Sequence, residues 1–286
     1  MATASETQLT DDFSLEMTGK DVDKLRAAAD AIPAGTRINV TFLGNEDLPM
    51  RVEAARAVRE LGFVPVPHIS ARRLKSQHEL EEFLGELQRI DASEHVFVVG
   101  GDPSEPEGPY ADSLSVIDTG LLPEYGVKEV GIAGYPEGHP DITDSDLLSH
   151  LTAKTQSLTA QDLDRVVLTQ FAFDAERVAA WITETRAQGV DSLIRIGTPG
   201  PAGIKRLLGY AKRFGVGTSA AIVKKYGFSL TNLLGSAGPD SFLTELAALV
   251  APEEANTTDG GVRVHFYTFG GLLNTTEWVN DFSAGR

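Results

Sequence analysis

The chain has 286 residues, 42% of them hydrophobic, with 28 Gly and 14 Pro, a size and composition suited to a globular protein of one or two domains. Against 25 basic residues stand 41 acidic ones, a formal net charge of -16, so the field of the whole molecule repels nucleic acid and anionic membrane. The absence of Cys excludes disulfides, thiolate zinc sites, iron–sulfur clusters and cysteine nucleophiles together.

Residues 1–12 are small, polar and acidic and read as a flexible N-terminal tail. They lack the basic start and apolar run of a signal peptide, and no later run approaches a membrane span, so a cytoplasmic protein is expected. From residue 13 onward short β-rich runs alternate with segments of helical periodicity. In order these are strand Phe13–Met17, helix Asp21–Ile32, strand Arg37–Leu43, helix Met50–Leu61, strand Phe63–Ile69, helix Ser76–Ile90 and strand Val96–Gly100. Strand Glu129–Gly134, helix Ser145–Leu158, strand Arg165–Phe171, helix Asp174–Gln188 and strand Ser192–Gly197 follow. Helices Ala202–Phe214 and Ser241–Val250 and strand Val262–Phe269 complete the series. Gly62, Gly189 and Gly215 stand where C-cap glycines belong, and Thr143 opens a helix with Asp146 in its first turn. Eight strands with helices between most of them in this length predict an α/β fold, a (β/α)8 TIM barrel forming a single domain over residues 13–286.

Such a barrel carries its site where the strands end. Polar residues expected there are Glu16, Thr41, His68, Asp102, Tyr135, Glu137, His139, Thr169, Gln170, Tyr267 and Thr268. Several have plain structural readings: Glu16 as a helix-cap carboxylate, Asp102 as part of a Gly-Gly-Asp-Pro turn, His139 as a loop residue. Gln170 is harder to dismiss, because an amide at a buried strand end needs partners for both its donor and its acceptor side. No phosphate-binding loop, His-Glu-x-x-His or nucleophile elbow occurs, and the acidic run Asp141, Asp144, Asp146 lacks the glycine and terminal Glu of a calcium loop, so no metal site is expected.

Read in order, Ser14-Leu-Glu-Met17, Val40-Thr-Phe42, Val66-Pro-His-Ile69, Gly101-Asp-Pro103, Tyr110-Ala111, Gly134-Tyr-Pro-Glu-Gly-His-Pro140, Thr169-Gln-Phe-Ala-Phe-Asp174 and Val264-His-Phe-Tyr-Thr268 form a recognisable series. It resembles the motifs of the methylenetetrahydrofolate reductases over roughly residues 13 to 269. The resemblance implies reduction of 5,10-methylenetetrahydrofolate to 5-methyltetrahydrofolate, with FAD taking hydride from NAD(P)H. It implies Glu16 as general acid and Asp102 as stabiliser of the cationic iminium intermediate. Gln170, Glu16, Asp102 and Tyr267 would contact the folate. Thr41, His68, Gly101, Asp102, Tyr110, Ala111, Tyr135, His139 and Lys154 would line the flavin site.

The chemistry agrees with those roles. Opening the methylene bridge needs a proton on nitrogen, hence an acid whose pKa is raised by an apolar setting, and the iminium that results calls for a nearby anion. Gly100 stands where relatives commonly carry a basic residue, so Arg72, Arg73, Lys154 and Lys205 are the cations expected to attract an anionic ligand. Two alternatives stay open: direct hydride transfer from NAD(P)H to the same folate without flavin, and a folate- or flavin-binding protein without turnover. Assembly into a homo-oligomer is compatible with all three.

Overall fold

Two sorts of sequence build the computed structural model, which describes residues 9–203, 236–250, 260–269 and 271–285. Short runs buried on both faces form strands, and longer amphipathic runs form the helices that cover them. The eight barrel strands are β1 (Ser14–Met17), β2 (Arg37–Val40), β3 (Val64–Ser70), β4 (His95–Val99), β5 (Glu129–Gly134), β6 (Asp164–Thr169), β7 (Leu193–Pro199) and β8 (Val262–Tyr267). All are parallel, each pairs with the next, and β8 returns to β1 with Ser14 opposite His265, so the sheet closes and leaves no edge. This is the (β/α)8 barrel expected from the alternation, and it is a single domain.

Among the described residues the helices are α1 (Val22–Ala28), α2 (Leu48–Glu60), α3 (Gln77–Arg89), α4 (Ser113–Ile117), α5 (Leu121–Glu124), α6 (Asp144–Ala160), α7 (Ala175–Ala187), α8 (Asp240–Leu249) and α9 (Leu272–Ser283). Helix α3 shows the local logic. Ser76 caps it by accepting the Glu79 N–H, and Leu80, Phe83, Leu84 and Leu87 recur at three- and four-residue intervals to bury one stripe against the sheet. The main apolar core lies in this layer between strands and helices, where Leu15, Ile38, Ile69, Val98 and Ile132 meet it. Inward-pointing Val66, Phe97 and Leu168 form a separate small cluster inside the barrel.

Three expectations need correction. The tail does not extend to residue 12: Leu9 is 1% exposed, the Thr10 hydroxyl lies 2.9 Å from that of Ser283, and Asp12 takes two hydrogen bonds from Arg195. A further helix, α9, follows β8, and threonines at 275 and 276 supply half of its buried stripe beside Leu272 and Val279. The run 202–214 does not begin as a helix, since Ala202–Gly203 is extended and pairs antiparallel with Ser236–Ala237. The remainder of that predicted helix, with Gly215, lies outside the described residues.

The N-terminal floor of the barrel is ionic. Arg37, His95 and Glu129 open β2, β4 and β5, and the Glu129 carboxylate accepts from Arg37 on both oxygens and lies 3.3 Å from His95 Nδ1. Burial pushes the Glu129 pKa up, but the hydrogen bonds from His95 and Arg37 outweigh it and hold the group at about 2. Among the described residues no helix is long and apolar enough to cross a membrane.

Candidate active site

At the opposite end, β1, β3 and β8 bring together Glu16, His68, His265 and Tyr267. Glu16 stands one residue before the end of β1 with its side chain 19% exposed, and burial raises its pKa to about 7 against the opposing field of His68. Its main-chain carbonyl accepts a 2.7 Å hydrogen bond from Thr268 Oγ1, which ties the end of β1 to the segment after β8. His68 on β3 lies 3.2 Å, through Nε2, from Asn39 Nδ2 and packs edge-on to Phe97. Burial lowers its pKa to about 4, so it is neutral at physiological pH.

On β8, His265 and Tyr267 alternate onto the inner face. The two rings meet edge to face at 4.9 Å, and the Tyr267 hydroxyl donates to the Thr169 carbonyl at 3.0 Å. Gly197 on β7 makes this crossing possible, because a Cβ there would stand 2.5 Å from the Thr169 carbonyl and 2.7 Å from the Tyr267 ring. Burial, reinforced by Glu16 and Tyr135, keeps the Tyr267 phenol un-ionised.

Gln170 sits half-buried just past β6, its Oε1 accepting the Phe171 N–H at 3.1 Å. It helps line a cavity of about 300 Å³ together with Tyr135, Glu137, His139 and Phe171. Tyr135 and His139 meet edge to face at 5.4 Å, and His139 Nδ1 accepts the Asp141 N–H. Beside Gln170, Phe171 contacts Phe173, Tyr267 and Phe269, and Phe269 holds a left-handed backbone with φ of +49°. A bulky residue in that region marks a strained turn, here at the site's rim.

Glu137 secures the loop that carries Gln170, for its Oε1 accepts the N–H groups of both Phe173 and Asp174 at 2.7 Å. Two amides bonded to one carboxylate are charge-assisted contacts worth about 1.5–3 kcal/mol each. Glu137→Ala is therefore expected to speed amide hydrogen exchange at Phe173 and Asp174 by at least tenfold, with Glu137→Gln intermediate. Unchanged protection in the Ala variant would remove this role.

The other expected residues scatter. Asp102 is 68% exposed on the rim and receives hydrogen bonds from Arg73 at 2.9 and 2.5 Å, outside the group around Glu16. Gly101 has φ of +96°, and a Cβ there would strike Ser70 Oγ. Ala111 is exposed, its carbonyl bound by Arg72 Nε at 2.7 Å, while Arg72 Nη1 reaches the Pro103 carbonyl. Both arginines expected to offer a positive field are thus committed to shaping the loop after β4. Tyr110 belongs to the apolar core, where burial raises its pKa.

Lys154 is 7% exposed, far along α6 from its N-terminus, and burial lowers its pKa to about 8 despite the charge of Asp112. Thr41 Oγ1, Ser70 Oγ and Tyr110 Oη are buried without hydrogen-bond partners, all on the β2 to β4 flank. A polar ligand that reached this flank would satisfy those orphaned hydroxyls. Lys205 lies outside the described residues. Among the described residues no group of three His, Asp or Glu is placed to hold a metal ion.

Sequence reasoning passes over Ser14, Asn39 and His265 as site residues. Alternation is the available signal: Ser14 shares a face with Glu16, and His265 with Tyr267, once a barrel is assumed. A histidine inside an apolar strand otherwise reads as core.

A closed eight-stranded parallel barrel with a polar mouth defines the protein as a TIM-barrel protein, and solved structures agree. It is similar to dihydropteroate synthase of Thermus thermophilus at 14% identity and a TM-score of 0.50, covering 95% of this chain and 92% of that one. Deoxyribose phosphate aldolase of Aeropyrum pernix matches at 13% identity and a TM-score of 0.47, over 97% and 98% of the two chains. At such identities the likeness is one of fold. No protein-family model matches the chain.

Proposed function

We propose that this barrel reduces 5,10-methylenetetrahydrofolate to 5-methyltetrahydrofolate with hydride from NAD(P)H carried through FAD. The observation that supports it most is Glu16, a carboxyl enclosed at the barrel mouth and holding its proton to about pH 7. An acid of that strength is matched to protonating the bridging nitrogen at neutral pH. Gln170, at the cavity wall beside Phe171, offers an uncharged amide to the donor and acceptor edge of a pterin, and the ring of Tyr267 gives it an apolar face. Asp102 sits on the rim, where its charge can reach the cationic iminium only if the Arg73 pairing loosens.

FAD, when bound, supplies a carrier that accepts hydride from one substrate and delivers it to the other. The residues that would hold it are Thr41, His68, Gly101, Tyr110, Ala111, Tyr135 and His139, with Lys154 as the cation. Glu16 itself needs no counter-ion, so the folate site works on proton position and hydrogen bonding.

A second reading is favoured by the arginines. With Gly100 lacking a side chain and both Arg72 and Arg73 bound into the loop, few cations remain for pyrophosphates, and direct transfer from NAD(P)H to folate asks for one dinucleotide where the flavin route asks for two. The absorption spectrum of purified protein, followed by FAD titration and an NAD(P)H oxidation assay, tests both. Yellow protein, or activity gained with FAD, upholds the first reading; colourless protein with folate-dependent oxidation upholds the second. No folate-dependent oxidation under either condition overturns both.

A further inference from the structure

We infer that Arg73 is a phosphate-binding residue of the mouth and that Asp102 is its resident counter-ion, displaced when the pyrophosphate of a dinucleotide arrives and so released toward the reacting centre. The inference deepens the proposed reaction and rests on the role given there to Asp102.

The two arginines that follow β3 are bound in different ways. Arg72 is spent on backbone: its guanidinium donates to the Ala111 and Pro103 carbonyls, its N–H donates to the Gly100 carbonyl, and its own carbonyl accepts the Glu107 N–H. Gly108 presses on the same segment, where a Cβ would stand 2.3 Å from the Leu74 carbonyl oxygen. The backbone that carries Arg73 is therefore fixed. The Arg73 guanidinium pairs instead with side chains. Its Nε and Nη2 both close on one oxygen, Asp102 Oδ1, at 2.9 and 2.5 Å, while Nη1 stands 3.8 Å from Glu107, beyond hydrogen-bond range. A fork that shares a single oxygen forgoes the two parallel bonds that make arginine pairs strong, and a phosphate offers those two oxygens. Asp102 is 68% exposed against 16% for Arg73, so water competes for the carboxylate and the carboxylate is the member free to leave.

The surroundings form a cradle. Gly44 lies so close to the guanidinium that a Cβ would stand 2.4 Å from Nη1, and a Cβ on Gly100 would meet nothing within 4 Å. Gly101, at φ of +96°, lies over Ser70 Oγ, which a Cβ would approach to 2.1 Å. Backbone stripped of side chains in this way lets a phosphate come close. Ser70 is 2% exposed and its hydroxyl has no partner, and Thr41 Oγ1, just past β2, has none either. A buried hydroxyl left in that state is costly, and a phosphate oxygen entering beside Gly101 gives Ser70 an acceptor.

Exchange at Arg73 links two events. Once the guanidinium turns to phosphate, Asp102 loses the cation that holds it on the rim, and Gly101 beside it tolerates the backbone rotation that a side chain would oppose. The negative charge is then free for the iminium when the hydride donor is in place. Before that, Arg73 keeps it neutralised. The ligand drives the change because it binds the unpaired guanidinium and not the paired one.

Binding without turnover tests the exchange. Calorimetric titrations with inorganic pyrophosphate, NADH, NADPH and FAD compare wild type, Asp102→Asn, Arg73→Leu and the double variant. If Asp102 competes for Arg73, Asp102→Asn tightens a dinucleotide by about fivefold and Arg73→Leu weakens it by at least about tenfold. In the Arg73→Leu background, Asp102→Asn then changes affinity by less than about twofold. Simple removal of a negative charge would instead tighten both backgrounds alike. Carbon NMR of the wild type, which needs no variant to fold, is expected to show the Asp102 carboxylate signal shifting on saturation with the dinucleotide that binds. An unmoved signal, equal effects of Asp102→Asn in both backgrounds, or coupling seen with pyrophosphate and with no dinucleotide overturns the inference. Absence of folate turnover in the wild type would sink the proposed reaction and leave these titrations readable.

Discussion

Glu16→Gln is expected to lower kcat for folate reduction by roughly 10²–10⁴-fold near neutral pH, the usual worth of a positioned acid. It should leave reduction of added flavin by NAD(P)H unchanged, because that half of the reaction needs no proton donor of this kind. The same substitution is expected to stabilise the fold in alkaline solution. Burial raises the Glu16 pKa from 4.5 to about 7, so the folded protein retains a proton that the unfolded chain has already lost. Stability contributed by the group is intact below about pH 4.5 and declines as pH climbs to about 7, with a cost of order 3 kcal/mol above that. Gln carries no such cost. Urea midpoints for the two proteins should lie close at pH 5 and diverge in favour of the variant at pH 8. A variant with more than a tenth of wild-type kcat would place the acid elsewhere, and equal midpoints at pH 8 would show that Glu16 is not desolvated.

Glu129→Ala has the opposite sign and acts at the other end of the barrel. It strips the partner from Arg37 and His95, each only about a fifth exposed, and removing one member of such a pair leaves the other uncompensated. The expected loss is about 3 kcal/mol at pH 7, read as a drop in the urea midpoint with unchanged slope. Because the folded pKa is depressed to about 2, this contribution is present above about pH 4.5 and fades as pH falls toward 2. The gap between wild type and variant should therefore close on acidification. A gap that persists at pH 2 would mean that the loss reflects packing and not charge.

The barrel was legible because each strand and helix carries its own period, and because eight βα units admit few topologies. Strand ends were placed within a residue or two at Glu129–Gly134 and at His95–Val99. What escaped were features set by contacts distant in sequence. Thr275 and Thr276 pack as core in α9, and Asp12 is ordered by Arg195, 183 residues away. At the site, the motif order pointed to Glu16 and Tyr267, close enough for the Glu16 charge to raise the Tyr267 pKa, and to Gln170, which lines the neighbouring cavity. It could not say that Arg73 would draw Asp102 outward, or that Arg72 would be spent on two carbonyls. Side-chain pairings of that kind depend on loop geometry, which periodicity does not encode.

The docking of Asp12 on Arg195 reaches further than the floor it belongs to. Arg195 is nearly buried, held charged in part by Asp12, and its field is one of the two causes that keep His265 neutral. Asp12, Arg195, His265 and Glu16 thus form an axial column, two charged groups below and two neutral ones above, running from the floor of the barrel to its mouth. Leu9–Asp12 act as a ballast for the acid at the top. Trimming or tagging that displaces Leu9–Asp12 would leave an uncompensated guanidinium under His265, and the disturbance would be felt in the protonation of the mouth.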